Sequence, residues 1–270
     1  MFYISSKSKG FITVLFLLFI TNSFSQNSYQ RVSIEMNEIF KDYKNFSLEV
    51  VLNHDFKSDY RVIKKDTKII FDRNLDFGYH NKRILVTVNN YGQAPSDRAN
   101  NFGYNIDLIV KNDSIVALLN LEYYEPNSQL YYDESKIQRY VNLHDKFYHA
   151  KTTVKDFISS FKASGKETTY GFACGFSPVI EDIQSYNGLY FDKVENRKVF
   201  VDWIKAYDLG LQAYGVTALE FLRDNKKVTL TGEENTIINN IRNRNSIVST
   251  CGGCLGSYSK LYNEKPRKRK

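Results

Sequence analysis

Recognisable catalytic signatures are missing from this sequence. It has no Gly-rich phosphate loop, no Gly-x-Ser-x-Gly elbow, no His-Glu-x-x-His and no EF-hand spacing, so the chemistries those local motifs carry have no sequence support. Histidines are scarce, and His144 and His149 stand five apart. On a helix that offset separates them by about 140°, which denies them the shared face an i, i+4 zinc pair uses. His144 falls on an apolar stripe and reads as a satisfied histidine at the core edge, while His54 and His80 read as strand-end or loop residues. Only three cysteines occur, Cys174, Cys251 and Cys254. One Cys-x-x-Cys supplies two of the four ligands a structural zinc site wants, so neither a metal nor a cofactor is expected. Glu181-Asp182 and Glu233-Glu234 are adjacent acids, but neighbours point in different directions, and glycosidase chemistry needs two carboxylates facing each other across about 5 to 9 Å. No internal repeat is present.

Long apolar runs are also missing after Ile20, and a spanning helix needs roughly 20 apolar residues. What precedes that point is a secretory pattern. Lys7 and Lys9 lead into Phe11 to Ile20, and Ser23-Phe24-Ser25 places small residues three and one positions before Gln26. A basic start, a short apolar core and an A-x-A-like end predict a signal peptide over residues 1–25, cleaved after Ser25. The mature protein is then expected to be secreted or periplasmic, with no transmembrane segment and no lipid-acceptor cysteine at the cleavage point. Asn45-Phe46-Ser47 and Asn112-Asp113-Ser114 are glycosylation acceptors only in a eukaryotic secretory pathway.

The net charge of +7 is concentrated at the ends. Seven of the 37 basic residues are Lys7, Lys9, Lys265, Arg267, Lys268, Arg269 and Lys270, and the remaining 30 match the 30 acidic residues. A formally neutral body lacks the basic face that DNA or RNA recognition requires, so nucleic acid is excluded as a partner. The tail resembles a nuclear localisation signal, yet an exported chain does not meet that receptor. Its five charges read as a solvated end, able to attract an anionic surface weakly and only at low salt.

Along the chain, period-2 patterns come first. Leu48, Val50 and Leu52 alternate, 61–64 and 67–71 flank Lys65-Asp66 as a hairpin, 83–88 is rich in β-branched residues, and 104–110 and 114–124 flank an Asn112-Asp113 turn. Residues 91–103 have loop composition, and 170–190 fits neither period. Helical spacing follows: Ile137, Tyr140, Val141, His144 and Tyr148 form a stripe, and Val154, Phe157, Ile158 and Phe161 form another behind Thr153, with Asp156 at capping-box spacing and Gly165 as the expected stop. Val199, Phe200, Trp203, Ile204 and Tyr207 precede a break near Gly210, and a fourth helix runs through Leu211, Val216, Leu219 and Leu222. Thr231 and Glu234 predict a capping box opening a helix over 232–243. Strands followed by helices, without βαβ alternation, define an α+β fold: a signal peptide (1–25), an antiparallel β-meander subdomain (26–130), a mainly helical subdomain (131–256) and a basic, disordered tail (257–270).

Cys251-Gly252-Gly253-Cys254 is the most specific short motif. A thioredoxin-type pair needs its first thiol at a helix N-terminus, whereas this pair follows a helix. Export favours a disulfide. Closing Cys251 to Cys254 is worth about 2 kcal/mol and joining Cys174 to either about 4.5 kcal/mol in the loop-entropy picture; the local link forms more easily and is the expected one, leaving Cys174 as a small buried apolar residue. A nucleophilic Cys174 assisted by His144 or His149 is disfavoured, because Phe172 and Phe176 would raise its pKa. Tyr123, Tyr124, Tyr131 and Tyr132 flank the turn at 125–128 and are the binding candidates, suited to stacking on sugars or meeting a protein; aromatics there also serve to cover a sheet-to-helix junction.

The reading that results is an exported soluble protein that binds a cell-surface polymer or a protein partner, or has a structural role, without catalysis. An exported hydrolase assembled only in the fold, and a thiol redox or zinc-binding protein using Cys251 and Cys254, are the alternatives. Thiol counting on the unreduced mature protein, combined with metal analysis, is expected to give one free thiol and no zinc; three thiols with stoichiometric zinc would reverse the order.

Overall fold

Val32, Met36 and Phe40 recur every four residues, and all three are buried in α1, Ser28–Lys41. They belong to a computed structural model that describes residues 28–56, 64–90, 100–122, 128–163, 167–171, 189–252 and 255–260. The expected signal peptide and residues 261–270 of the basic tail lie outside the described residues, as do Gly165 and most of 170–190.

The chain divides into two compact units. The first comprises Met1–Asp42, Phe46–Asp66 and Val86–Gly103. Here α1 is followed by α2, Leu48–Asn53, so the alternating Leu48, Val50 and Leu52 are helical rather than extended. A period of two over five residues does not separate strand from helix. The Ser47 side chain settles it by accepting from the Val50 amide as N-cap. Only Val51 of this helix is buried, with Phe46 and Phe56 nearby in sequence also buried. His54 lies 2.7 Å from Glu35 and edge-on to Phe56.

The strands are β1 (Lys64–Asn74), β2 (Tyr79–Asn90), β3 (Asn100–Lys111), β4 (Ser114–Glu122) and β5 (Gln129–Tyr132), in an antiparallel sheet of order β1-β2-β3-β4-β5. β1 runs straight through Lys65-Asp66, so the hairpin expected there is absent: neither residue leaves extended backbone. The turn falls instead at 75–78. The β3–β4 hairpin closes at Asn112 and Asp113, both at positive φ, and its register runs from Tyr104↔Glu122 to Lys111↔Ser114 with one irregularity between Ile109 and Val110.

The second unit holds Tyr43–Asn45, Thr67–Leu85 and Tyr104–Lys270. Its helices are α3 (Glu134–Tyr148), α4 (Val154–Lys162), α5 (Arg197–Ile204), α6 (Leu209–Asp224) and α7 (Gly232–Arg244). Both expected capping boxes are present, Thr153 with Asp156 and Thr231 with Glu234. The stripe Ile137, Tyr140, Val141, His144 and Tyr148 is buried throughout. Ile137, Tyr140 and Val141 meet Ile109, Val116, Leu119, Phe157 and Phe161 in one core cluster. A second cluster gathers Tyr148, Phe200, Ile204, Tyr214, Leu219, Ile237 and Ile241. Val199, expected on the apolar face of α5, is 37% exposed. After α7, β6 (Ile247–Gly252) pairs antiparallel with β7 (Leu255–Lys260). Residues 257–260, expected in the tail, are therefore strand.

At the start of α6 the backbone of Thr168 crosses close. Its amide donates to Asp208, whose other oxygen caps Leu211. A Cβ on Gly210 would lie 1.8 Å from the Thr168 carbonyl oxygen, whereas one on Gly232 would meet nothing within 4 Å. Gly210→Ala is expected to cost about 3 kcal/mol through overpacking and Gly232→Ala to be neutral or stabilising, as read by thermal denaturation of both variants.

Candidate functional site

Between β1 and β2 the chain turns through two consecutive left-handed residues, Phe77 (φ 59°, ψ 27°) and Gly78 (φ 70°). The positive φ suits Gly78, and a Cβ there would lie 2.8 Å from Lys111 Nζ, the movable end of a flexible side chain. Phe77 has no such licence, and a bulky residue in that region costs about 1–3 kcal/mol. The surroundings hold it. Asp76, 5% exposed, accepts from the Tyr148 hydroxyl at 2.8 Å, Asn240 Nδ2 at 2.9 Å and an Arg244 guanidinium nitrogen at 2.6 Å. Lys111 Nζ donates to the Phe77 carbonyl, and the Leu75 amide donates to the Tyr79 carbonyl at 2.8 Å. Burial and then the Asp76 charge push the Tyr148 phenol up, so Tyr148 stays a donor.

That turn sets Phe77 against Phe147 of α3, edge to face at 6.1 Å, and against Tyr140 at 6.0 Å. An open cleft of about 470 Å³ results, floored by Phe77, Leu143, Phe147 and Ile237 and edged by Lys146, His149, Glu233 and Thr236. His149 is the left-handed C-cap of α3. Glu233 is bound to Lys205 at 2.9 Å, which holds its carboxyl below the usual range. An apolar floor with a few polar groups at the rim is the make-up of a binding cleft. An ionised carboxylate already committed to a lysine is poorly placed to move protons.

The strongly perturbed ionisable groups lie elsewhere. A small cavity of about 50 Å³ is bordered by Arg73, Asn81, Glu167, Tyr207 and Asp208 among aromatic side chains. Arg73 binds Glu167 at 2.7 Å and Asn81 at 2.9 Å. Burial raises the Glu167 carboxyl pKa despite Arg73 and Arg83, and its Oε1 has no hydrogen-bond partner among the described residues. Burial also pushes the Tyr207 phenol up to about 12. The cavity has room for a few water molecules, not for a substrate. Arg83 and Asp107 form a buried two-point pair at 2.6 and 2.7 Å.

Tyr123 and Tyr124 lie outside the described residues. Tyr131 and Tyr132 are on β5, opposite Leu118 and Ala117. Tyr131 is half-buried and stacks on Tyr43 at 6.5 Å, and Tyr132 is exposed; neither borders the cleft. Cys251 lies in β6 opposite Gly256, is disulfide-bonded, and has its sulfur 4.0 Å from the Tyr170 carbonyl oxygen. Cys174 and Cys254 lie outside the described residues, and the choice between them goes with them. Among the described residues no three His, Cys, Asp or Glu side chains converge as metal ligands, and no helix is long and apolar enough to cross a membrane. Phe77 and Phe147 were not singled out by sequence; the one signal was Phe77-Gly78 directly after an extended run. No family model, curated protein or solved structure matches the chain.

His144 is 1% exposed and packed on Tyr207 at 4.2 Å and Tyr148 at 4.5 Å. Burial lowers its pKa, outweighing the Asp145 hydrogen bond that raises it, and Nε2 has no hydrogen-bond partner among the described residues. Its neutral form therefore contributes stability that is complete above about pH 6.5, the unfolded value, and is lost as pH falls from there towards its lower folded value. Urea titrations between pH 7.5 and 5 are expected to show the wild type losing stability below pH 6.5 and His144→Leu losing less. Parallel slopes would refute it.

Proposed function

We propose that the protein is an exported, non-catalytic binding protein that holds a cell-surface polysaccharide in the Phe77–Phe147 cleft. The signal-peptide pattern at 1–25 supports export. The observation that carries the binding reading is the strained Phe77 backbone, held by Asp76 and Lys111, which fixes an aromatic ring in the floor of an open cleft. Aromatic rings present flat apolar faces that suit the faces of sugar rings. An open cleft admits a chain, where a closed pocket would admit only a chain end.

The division of charge supports the same reading. Buried pairs such as Arg73 with Glu167 and Arg244 with Asp76 sit inside the unit, and the open cleft carries Glu233 in a pair with Lys205. Nothing in the cleft resembles two carboxylates poised across a scissile bond.

Binding to a panel of neutral and acidic polysaccharides in 0.15 M salt, with reducing ends assayed in the same samples, tests this. At least one polymer is expected to bind without chain scission, and Phe147→Ala to weaken it about tenfold in protein still folded at the assay temperature, its melting temperature lowered because the ring also packs on Tyr148. Protein-dependent release of reducing ends would establish a hydrolase instead. Wild-type affinity in Phe147→Ala would remove the cleft.

A further inference from the structure

Beside the cleft, α3 borders a second recess of about 320 Å³, lined by Lys111, Lys136 and Arg139 with Tyr79, Asn112 and Ser114. Leu143 lines both recesses. The reason lies in the helix: Lys136, Arg139, Leu143, Lys146 and Phe147 follow helical spacing along one face of α3, one residue round from the buried stripe. Arg139 and Leu143 are separated by about 6 Å of helix rise, close to the length of one sugar ring.

Among the described residues the recess gathers cations and no carboxylate. Lys111 Nζ donates to the Phe77 carbonyl and lies 5.1 Å over the Tyr79 ring. Lys136 is half-buried and Arg139 exposed, and among the described residues no carboxylate pairs with either. The acids nearest these two in sequence are Glu134 and Asp133; Glu134 is exposed and does not line the recess, and Asp133, the N-cap of α3, is within Coulombic reach of Lys136. It is occupied in accepting from the Ser135 hydroxyl at 2.7 Å and the Lys136 amide at 3.1 Å, and it does not line the recess. Three like charges around one concavity repel each other and concentrate anions. A guanidinium fork matches two oxygens of an oxyanion, and ammonium groups add point charges and rotatable donors.

We propose that this recess binds an oxyanion of the polymer held in the neighbouring cleft, which makes the ligand an acidic polysaccharide bearing sulfate or carboxylate groups. The inference rests on the polysaccharide-binding reading for the polymer, and on the recess alone for the oxyanion. Specificity divides between the two: the cleft takes the sugar ring, and Lys111, Lys136 and Arg139 require the charge. The five basic residues of the tail are a separate, diffuse attraction.

Two arms test it in 0.15 M salt. In the first, inorganic sulfate is titrated into the ¹⁵N-labelled protein. Saturable shifts are expected at Lys111, Lys136 and Arg139, lost in Lys136→Ala/Arg139→Ala. Shifts that never saturate, or that survive in the double variant, overturn the proposal. In the second, heparin (sulfate) and polygalacturonate (carboxylate) are compared with neutral dextran, using the wild type, the double variant, Phe147→Ala and a variant with the five tail bases changed to serine. Binding of an acidic polymer, weakened about tenfold or more in the double variant and changed by less than about threefold in the tail variant, supports it. Loss confined to the tail variant overturns it. Equal binding of neutral and acidic polymers, unaffected by the double variant but lost in Phe147→Ala, removes the oxyanion inference and leaves the cleft reading standing. Saturable sulfate binding with no polymer bound removes the acidic polysaccharide and the cleft reading together, leaving only the anion recess.

Discussion

The Asp76 carboxylate is the constraint on which the second unit depends. It sits in the turn between β1 and β2, yet its donors come from Tyr148 at the end of α3 and from Asn240 and Arg244 in α7, 72, 164 and 168 residues away in sequence. Arg244 extends the chain of contacts to Gln212 of α6. A buried ion pair is weak evidence of net stability, because desolvation consumes most of the attraction, but an isolated partner left behind costs about 3–5 kcal/mol. The consequence is geometric: three helices and a strand turn are held to one carboxylate whose neighbour in the chain, Phe77, is thereby kept in a left-handed conformation.

How much of this was legible follows from the range of each interaction. The β3–β4 turn at Asn112-Asp113 and the two capping boxes depend on residues within four positions of each other, and the structure has them where the sequence puts them. The buried stripe of α3 was equally plain, because burial of one helical face leaves a period of 3.6. Leu48 to Leu52 misled for the complementary reason: five residues cannot distinguish two periods, and the Ser47 side chain decided. The segment 64–71 misled because polar residues at 65 and 66 look like a turn, although extended backbone tolerates them on an exposed strand.

The cleft was illegible for a different reason. Its floor joins residue 77 to residues 143, 147 and 237, and sequence adjacency carries no information about such a meeting. Tyr131 and Tyr132 drew attention as a cluster, but consecutive strand residues face opposite ways, and Tyr131 is spent on Tyr43. Composition is silent about where charge lies: Asp76, Asp107 and Glu167 pair one to one with buried arginines, which leaves the exposed balance unchanged, and the gathering of Lys111, Lys136 and Arg139 around one recess depends on contacts that a sum over the sequence does not carry.

Lys111 serves the turn and the basic recess at once. One donated hydrogen bond fixes the Phe77 carbonyl, and the same ammonium group stands in the basic recess. A residue that only stabilised the turn could be neutral, since a carbonyl asks for a donor and not for a charge. A residue that only attracted anions would gain from reaching into solvent rather than lying over Tyr79 at 5.1 Å. Placed where it is, the lysine couples the shape of the apolar cleft to the electrostatics beside it, and the two recesses that share Leu143 also share the side chain that shapes one and charges the other.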